Sequence, residues 1–273
     1  MYRDRRSDDD VTERRRGGTT DTAETIVSGR RAVLEAVRAG IASRVLVARA
    51  ARSTEGLRDV LSASEEARVP VRETDRAELD RLAAGHRGVV ATVRIPRPIG
   101  ERELASWLFH EEGVVVVLDG INDPQNLGAA ARSAEAAGAA MLVTRTRRSA
   151  DVTDSAIRAS AGALLHLRHA RVANIGRALA RLQGAGFTVV GLDEHAERTV
   201  FEEERPAGKV AIVLGSEGEG LARLTREACD VLVRLPMRGR VGSLNASASL
   251  AAVLYAFVLP GRVDRSGAAE PTS

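Results

Sequence analysis

The sequence predicts an α/β protein whose larger part is a mainly parallel sheet with helices on both faces. Three observations lead there. Strand-length apolar segments alternate with segments of helical periodicity along most of the 273 residues. Several strands, such as "VVVVLD" and "VAIVLG", are apolar almost throughout, as expected for a sheet covered on both faces. Polar, glycine-containing segments follow three of these strands, where an open parallel sheet holds its ligands.

Residues 1–22 mix acids with arginines and read as a disordered arm, in which a solubilising role outweighs an RNA-touching one. A compact α/β unit follows over residues 23–95. Ala32, Val33, Ala36 and Val37 share a helical face that Gly40 ends. "RVLVA" is a strand, Leu57, Val60 and Leu61 belong to a second helix, and "VPVRE" is a strand. Asp75 stands as an N-cap before "RAELDRLA", and "GVVATVRI" closes the unit. The Pro/Gly break "PRPIG" marks a domain boundary, with residues 96–112 a linker carrying a helix around residues 104–108.

The second domain, residues 113–260, opens with "VVVVLD" and continues through the strands "AAMLVT", "FTVVGLD", "VAIVLG" and "DVLVRLP". Its expected helices cover residues 126–137, 174–184, 221–227 and 246–257, and residues 261–273 read as a disordered tail. No internal repeat or sustained heptad is visible.

Composition narrows the function. Apolar residues make up 44% of the chain, enough for a real core, and aromatics only 3%, so that core is built from Ala, Val and Leu. No apolar run approaches the roughly 18 residues of a membrane span, and the charged N-terminus lacks a secretory apolar stretch, so a cytoplasmic protein is expected. Cys229 is the single cysteine, which excludes an intramolecular disulfide and a Cys-rich metal site, and the five His lack zinc-site spacing. No metal requirement is expected. The net charge of +3 permits an RNA partner without demanding one, and nearly all the basic residues are Arg, the side chain best suited to phosphate.

The chemistry concentrates in three segments. In "LDGINDPQNLGAAARSAEAAG" a strand ends at Asp119, Asp123-Pro124 makes a turn, Asn126 is a candidate N-cap, and Arg132 falls on a different helix face. In "VLGSEGEGL" the glycines 215, 218 and 220 free the backbone around Glu217. The order is neither that of a P-loop nor that of the dinucleotide fingerprint, which argues against a nucleotide-binding oxidoreductase. In "LPMRGRVGSLNASASLAAVLYAF" a Pro/Gly loop leads to Ser243 and Asn245 at a helix entrance. Each segment alone is compatible with an ordinary capped helix or a tight turn.

Together, in this order and at these separations, the three segments resemble the motifs of SpoU-type RNA 2′-O-ribose methyltransferases of the SPOUT class, over residues 26–257. Within that class the chain looks closest to the enzymes that methylate a guanosine ribose of 23S ribosomal RNA. "VSGRRAVLEAVRAG" and "GHRGVVATV" are similar to the family's L30e-like substrate-binding domain. The resemblance implies a deep trefoil knot in the C-terminal domain, a homodimer with the active site at the subunit interface, RNA as partner and S-adenosylmethionine as methyl donor. It assigns donor contacts to Leu214, Gly215, Leu235, Met237, Ser243 and Leu244, and polar active-site positions to Asn126, Arg132, Glu217, Ser243 and Asn245. A family mechanism makes the Arg a base. A guanidinium stays protonated in proteins, so Arg132 is expected to act electrostatically. Transfer RNA or resistance-conferring ribosomal RNA methylation, and a knotted RNA-binding factor without catalysis, are the alternatives.

Overall fold

A computed structural model describes residues 22–51, 55–108, 113–204, 206–240 and 242–259. The expected N-terminal arm and C-terminal tail lie outside them, apart from Thr22, which already opens a strand.

The N-terminal unit runs β1 (Thr22–Ser28), α1 (Arg30–Arg38), β2 (Ala42–Ala48), α2 (Glu55–Glu66), β3 (Val71–Thr74), α3 (Arg76–Leu82) and β4 (Val89–Pro96). Its sheet has the order β1-β4-β2-β3, with only β2 and β3 parallel. The α1 face foreseen from periodicity, Ala32, Val33, Ala36 and Val37, is buried. Asp75 occupies the N-cap of α3 without a side-chain cap bond; its carboxylate faces Arg49 at 3.7 Å instead.

The described part of the segment expected as a linker packs on the C-terminal unit and carries the expected helix. Ile99 pairs with Ala170, donating to His169 O and accepting from Arg171 N, both at 2.9 Å. Helix α4 (Glu101–Leu108) then buries Leu104 and Leu108.

The C-terminal unit continues with β5 (Val114–Asp119), α5 (Pro124–Ala136), β6 (Ala139–Arg145), α6 (Asp154–Ala159), β7 (Arg168–Val172), α7 (Ile175–Gly184), β8 (Thr188–Leu192), β9 (Val210–Gly215), α8 (Arg223–Glu227), β10 (Val231–Val233) and α9 (Ala246–Val253), the last running into a π-turn over residues 254–258. The sheet is parallel throughout, in the order β10-β8-β9-β5-β6-β7. The all-apolar strands have the physical basis anticipated for them. Along β5, Val114, Val116 and Leu118 enter one core with α5, α6 and α9, while Val115 and Val117 enter another with α4 and α7. Helices α5 and α6 touch so closely that a Cβ at Gly128 would lie 2.4 Å from Ala156 O, and only glycine fits.

The first of these cores runs without a break from Val27 and Val33 in the N-terminal unit to Leu118 and Ile157 in the C-terminal one. Polar contacts fasten the same seam. Ser28 N and Oγ donate to the two Asp154 oxygens at 2.8 and 3.0 Å, Arg158 reaches Ser28 Oγ and Ala84 O at 2.7 Å, and His166 meets Glu35 at 3.2 Å.

Strand β7, "RHARV", was not foreseen, because its charged residues conceal an alternation in which only Ala170 and Val172 are fully buried. His169 on this strand shares a 2.8 Å hydrogen bond with Thr144, and burial, followed by the nearby Arg171, pushes its pKa down to about 4 from the ordinary 6.5. Between these two values the unfolded chain binds a proton that the folded chain refuses, so acid favours unfolding. Above the upper value both states are neutral and the group contributes nothing. Stability in urea unfolding is therefore expected to fall as pH drops from about 6.5 toward about 4, and His169→Gln should make that slope shallower. An unchanged slope in the variant would refute the assignment.

Candidate active site

Four loops meet at the carboxyl end of the parallel sheet. The first follows β5. Its helix is capped by Asp123, whose Oδ1 accepts from Gln125 N at 2.9 Å, with Pro124 at the first helical position. Asn126 is therefore not the N-cap expected from sequence. A proline suits the first helical position, since its missing N–H is one of the orphan donors there, and that sets the cap one residue before it. Asn126 lies in the first turn, half-buried, with its side chain directed out of the helix.

The second loop follows β9. Ser216 and Gly220 exchange backbone hydrogen bonds of 3.1 and 3.0 Å, closing a tight turn. The closure presses on Gly215, where an added Cβ would lie 2.1 Å from the Gly220 carbonyl carbon. Glu217 projects from this turn. The preceding strand packs between its neighbours, so the turn is fixed at its base and exposed at its tip.

The third loop joins β10 to α9. Asn245 caps α9, its Oδ1 accepting from Ser247 N at 3.0 Å and Ala248 N at 3.4 Å. Its amide nitrogen donates to Asn126 Oδ1 at 3.0 Å and to Glu217 Oε1 at 2.8 Å. One side chain thus links all three polar segments.

A cavity of about 620 Å³ opens beside this junction. Leu214, Gly215, Glu217, Leu235, Met237, Ser243, Leu244 and Asn245 all line it. Arg132 does not. It stands on the outer side of α5, exposed, with no hydrogen bond or ion pair among the described residues.

The fourth loop, after β8, was not singled out in the sequence. Asp193, Glu194 and His195 also line the cavity. Asp193 is buried, accepts from His195 N at 2.9 Å and faces Arg226 at 2.5 Å. The signal was present, since "GLDEH" is a polar segment after an apolar strand, but it carries no glycine after the strand end. Deeper in the sheet, buried Asp119 accepts from Thr225 Oγ1 at 2.6 Å and pairs with Arg145 at 2.5 Å, which ties α8 to the end of β5. Cys229 packs against this region; burial, then the neighbouring acids Asp230, Asp119 and Asp193, push its thiol up to about 12, so it offers no nucleophile.

The lining is chemically uneven. Beside the β9 turn it holds apolar side chains, of which Met237 and Leu244 remain 38% and 47% exposed, and the polar Asp193, Glu194 and His195. A cavity that mixes apolar side chains with a few polar groups suits a small organic ligand. No group of three or more His, Cys, Asp or Glu able to hold a metal ion occurs among the described residues.

Comparison with known proteins agrees with this geometry. Residues 113–255 match the model of the SpoU rRNA Methylase family, and residues 26–99 match that of RNA 2′-O ribose methyltransferase substrate binding. The chain is 39% identical over 217 residues to the 23S rRNA (guanosine-2′-O-)-methyltransferase RlmB of Pseudomonas putida, covering 78% of this chain and 87% of that protein. It is 39% identical over 242 residues to an uncharacterized tRNA/rRNA methyltransferase of Mycobacterium ulcerans, covering 87% of this chain and 77% of the relative. Among solved structures, the SpoU methyltransferase AviRb from Streptomyces viridochromogenes in complex with AdoMet superposes with a TM-score of 0.70 at 28% identity, over 87% of this chain and 90% of that one.

Two substitutions test the local architecture. Gly215→Ala forces the β9 turn open and should destabilise the protein by about 1–3 kcal/mol, as overpacking does. Asn245→Ala removes the α9 cap and should cost about 1 kcal/mol, which Asn245→Ser recovers in large part because serine also caps well. Denaturant melts measure both, and wild-type stability in Gly215→Ala would contradict the described closure.

Proposed function

The chain belongs to the SpoU rRNA Methylase family, and from that premise we propose that it moves a methyl group from S-adenosylmethionine to the 2′-hydroxyl of a guanosine in 23S ribosomal RNA. The observation that carries this reading is the Asn245 junction, which gathers Asn126 and Glu217 at the mouth of a nucleoside-sized cavity.

Bound S-adenosylmethionine supplies a methyl group on a sulfonium, already activated for displacement. Gly215, Leu235 and Leu244, which line the cavity, would hold it largely through main chain, and Leu214, Met237 and Ser243 would complete the pocket. The remaining work falls to side chains that place the ribose hydroxyl in line and hold it there, and positioning of this kind is worth roughly 7–11 kcal/mol. Glu217 has one oxygen engaged by Asn245 Nδ2, which leaves the other to accept from a ribose hydroxyl. Asn126 is fixed from both sides, by Asn245 and by Asp123 at 3.4 Å, and braces the junction. Arg132, cationic throughout, orients a phosphate and stabilises the developing alkoxide, while the hydroxyl proton is released to solvent water as the methyl leaves the sulfonium for the oxygen. The reading calls for no metal ion.

Arg132 lies outside the cavity of its own subunit, and this supports a homodimer in which it serves the partner's cavity. The outward side of the last helix, with Ala248, Ala251 and Ala252 beside exposed Tyr255, suits close packing of a second copy. We also read the C-terminal crossing as a trefoil knot. The chain leaves β10 at the sheet's edge and returns to lay α9 against α5 in the middle. A ribosomal RNA substrate places the protein in the cytoplasm.

The test is methyl transfer from labelled donor to unmodified ribosomal RNA and, separately, transfer RNA, with the modified nucleotide mapped. A 2′-O-methylguanosine in 23S RNA is expected; a mark confined to transfer RNA would overturn the substrate. Arg132→Ala should lower kcat by about 10²–10³-fold, the scale of a lost oxyanion donor. Near-normal turnover in Arg132→Lys would rule out a role for guanidinium geometry. Mixed after subunit exchange, Arg132→Ala and Glu217→Ala should regain activity that neither has alone, and no recovery would sink the shared site.

A further inference from the structure

The loop between β6 and α6 carries the sequence Thr146-Arg147-Arg148-Ser149-Ala150, which the functional reading leaves unused. Its place is set by the sheet. Strand β6 is next to β5, which is next to β9. At about 4.8 Å per strand, the foot of this loop stands roughly 10 Å from that of the Glu217 turn, a span of one to two nucleotides. The loop is also tied to the first motif, since Ala150 N donates to Ile121 O at 2.8 Å. Its other end is held by Thr146 N donating to Val172 O at 2.9 Å, and by Arg171 reaching Thr146 O at 3.2 Å.

The arginines of this region divide sharply. Arg145 pairs with Asp119, Arg158 with Asp154 and Arg171 with Asp151, while Arg168 lies over the Trp107 ring. Arg147 and Arg148 are exposed and have no hydrogen bond or ion pair among the described residues. Arg148 also sits at φ 55°, a conformation unfavourable for a long side chain, in a loop fixed at both ends. Two adjacent guanidinium groups on a tethered loop, with no acid to neutralise them, match consecutive phosphates.

We propose that Arg147 and Arg148 grip the RNA backbone beside the nucleotide to be methylated, and so set the register of the strand across the carboxyl edge of the sheet. The inference rests on the RNA methyltransferase reading and adds to it a positioning element outside the three motifs. Phosphate contacts of this kind fix orientation without reading sequence, so they should affect cognate and unrelated RNA alike.

The experiment compares the full-length protein with the double variant Arg147→Gln, Arg148→Gly. Glycine at 148 keeps the left-handed backbone, so a purely structural role for the loop is preserved while the side chain is lost. Affinity for an unmodified 23S RNA fragment is followed by fluorescence anisotropy over a salt series, with melting temperature and S-adenosylmethionine affinity measured beside it. The expected result is weaker RNA binding, with the slope of log affinity against log salt shallower by about 1.4, two contacts at about 0.7 each on a single strand. Donor affinity and melting temperature stay at wild-type values, and Arg147→Lys, Arg148→Lys recovers much of the slope. An unchanged slope overturns the inference and leaves the methyltransferase reading intact. A slope shallower by that amount in a protein that methylates no RNA keeps the two backbone contacts but overturns their place beside a methylated nucleotide, together with the methyltransferase reading.

Discussion

Three loops from distant parts of the sequence reach the same point because a single amide can bond in two directions at once. Asn245 uses its oxygen to cap α9 and its nitrogen to hold Asn126 and Glu217. The cap fixes where the last helix starts, and the bonds fix where it lies relative to β5 and β9. Aspartate would keep the cap but could not donate, and it would set a second carboxylate beside Glu217. Serine would keep the cap and be too short to span both partners. The amide is the side chain that meets both demands, and the cavity mouth takes its shape from that junction.

What could be read from sequence follows the strength of the burial signal. Strands β5 and β9 were plain because both of their faces are buried, which leaves an unbroken apolar run. Strand β7 at the sheet's edge and β1, "TAETIVS", are half solvated, and their polar residues hid them. The short helix α6 offered too few turns for a period to show. Asn126 was taken for a cap because cap preference alone does not separate Asp from Asn; Pro124 decides it. The cavity was largely legible, since a polar segment after an apolar strand marks a ligand end of the sheet. The isolation of Arg132, and the pairing state of every other arginine, depend on distant acids and are visible only in the folded chain.

The seam between the two units bears on how an RNA substrate is presented. A core shared from Val33 to Ile157, reinforced by the Ser28–Asp154–Arg158 cluster, couples the N-terminal unit to α6, which packs on the first-motif helix α5. Contacts to RNA made by either unit are thereby referred to one frame. A substrate held by the N-terminal unit meets the cavity at a set distance, with α5 and α6 as the rigid spacer between them.

The single bridge made by Ile99 along β7 has a counterpart at the opposite edge, where Thr199 pairs with Arg234 just after β10. A parallel sheet open at either border would expose a row of amide donors and acceptors to any extended chain. Here one residue of connecting segment pairs at each border, and β10 is only three residues long. One paired residue at each border and a three-residue edge strand shorten the stretch of free backbone that an extended chain could pair with.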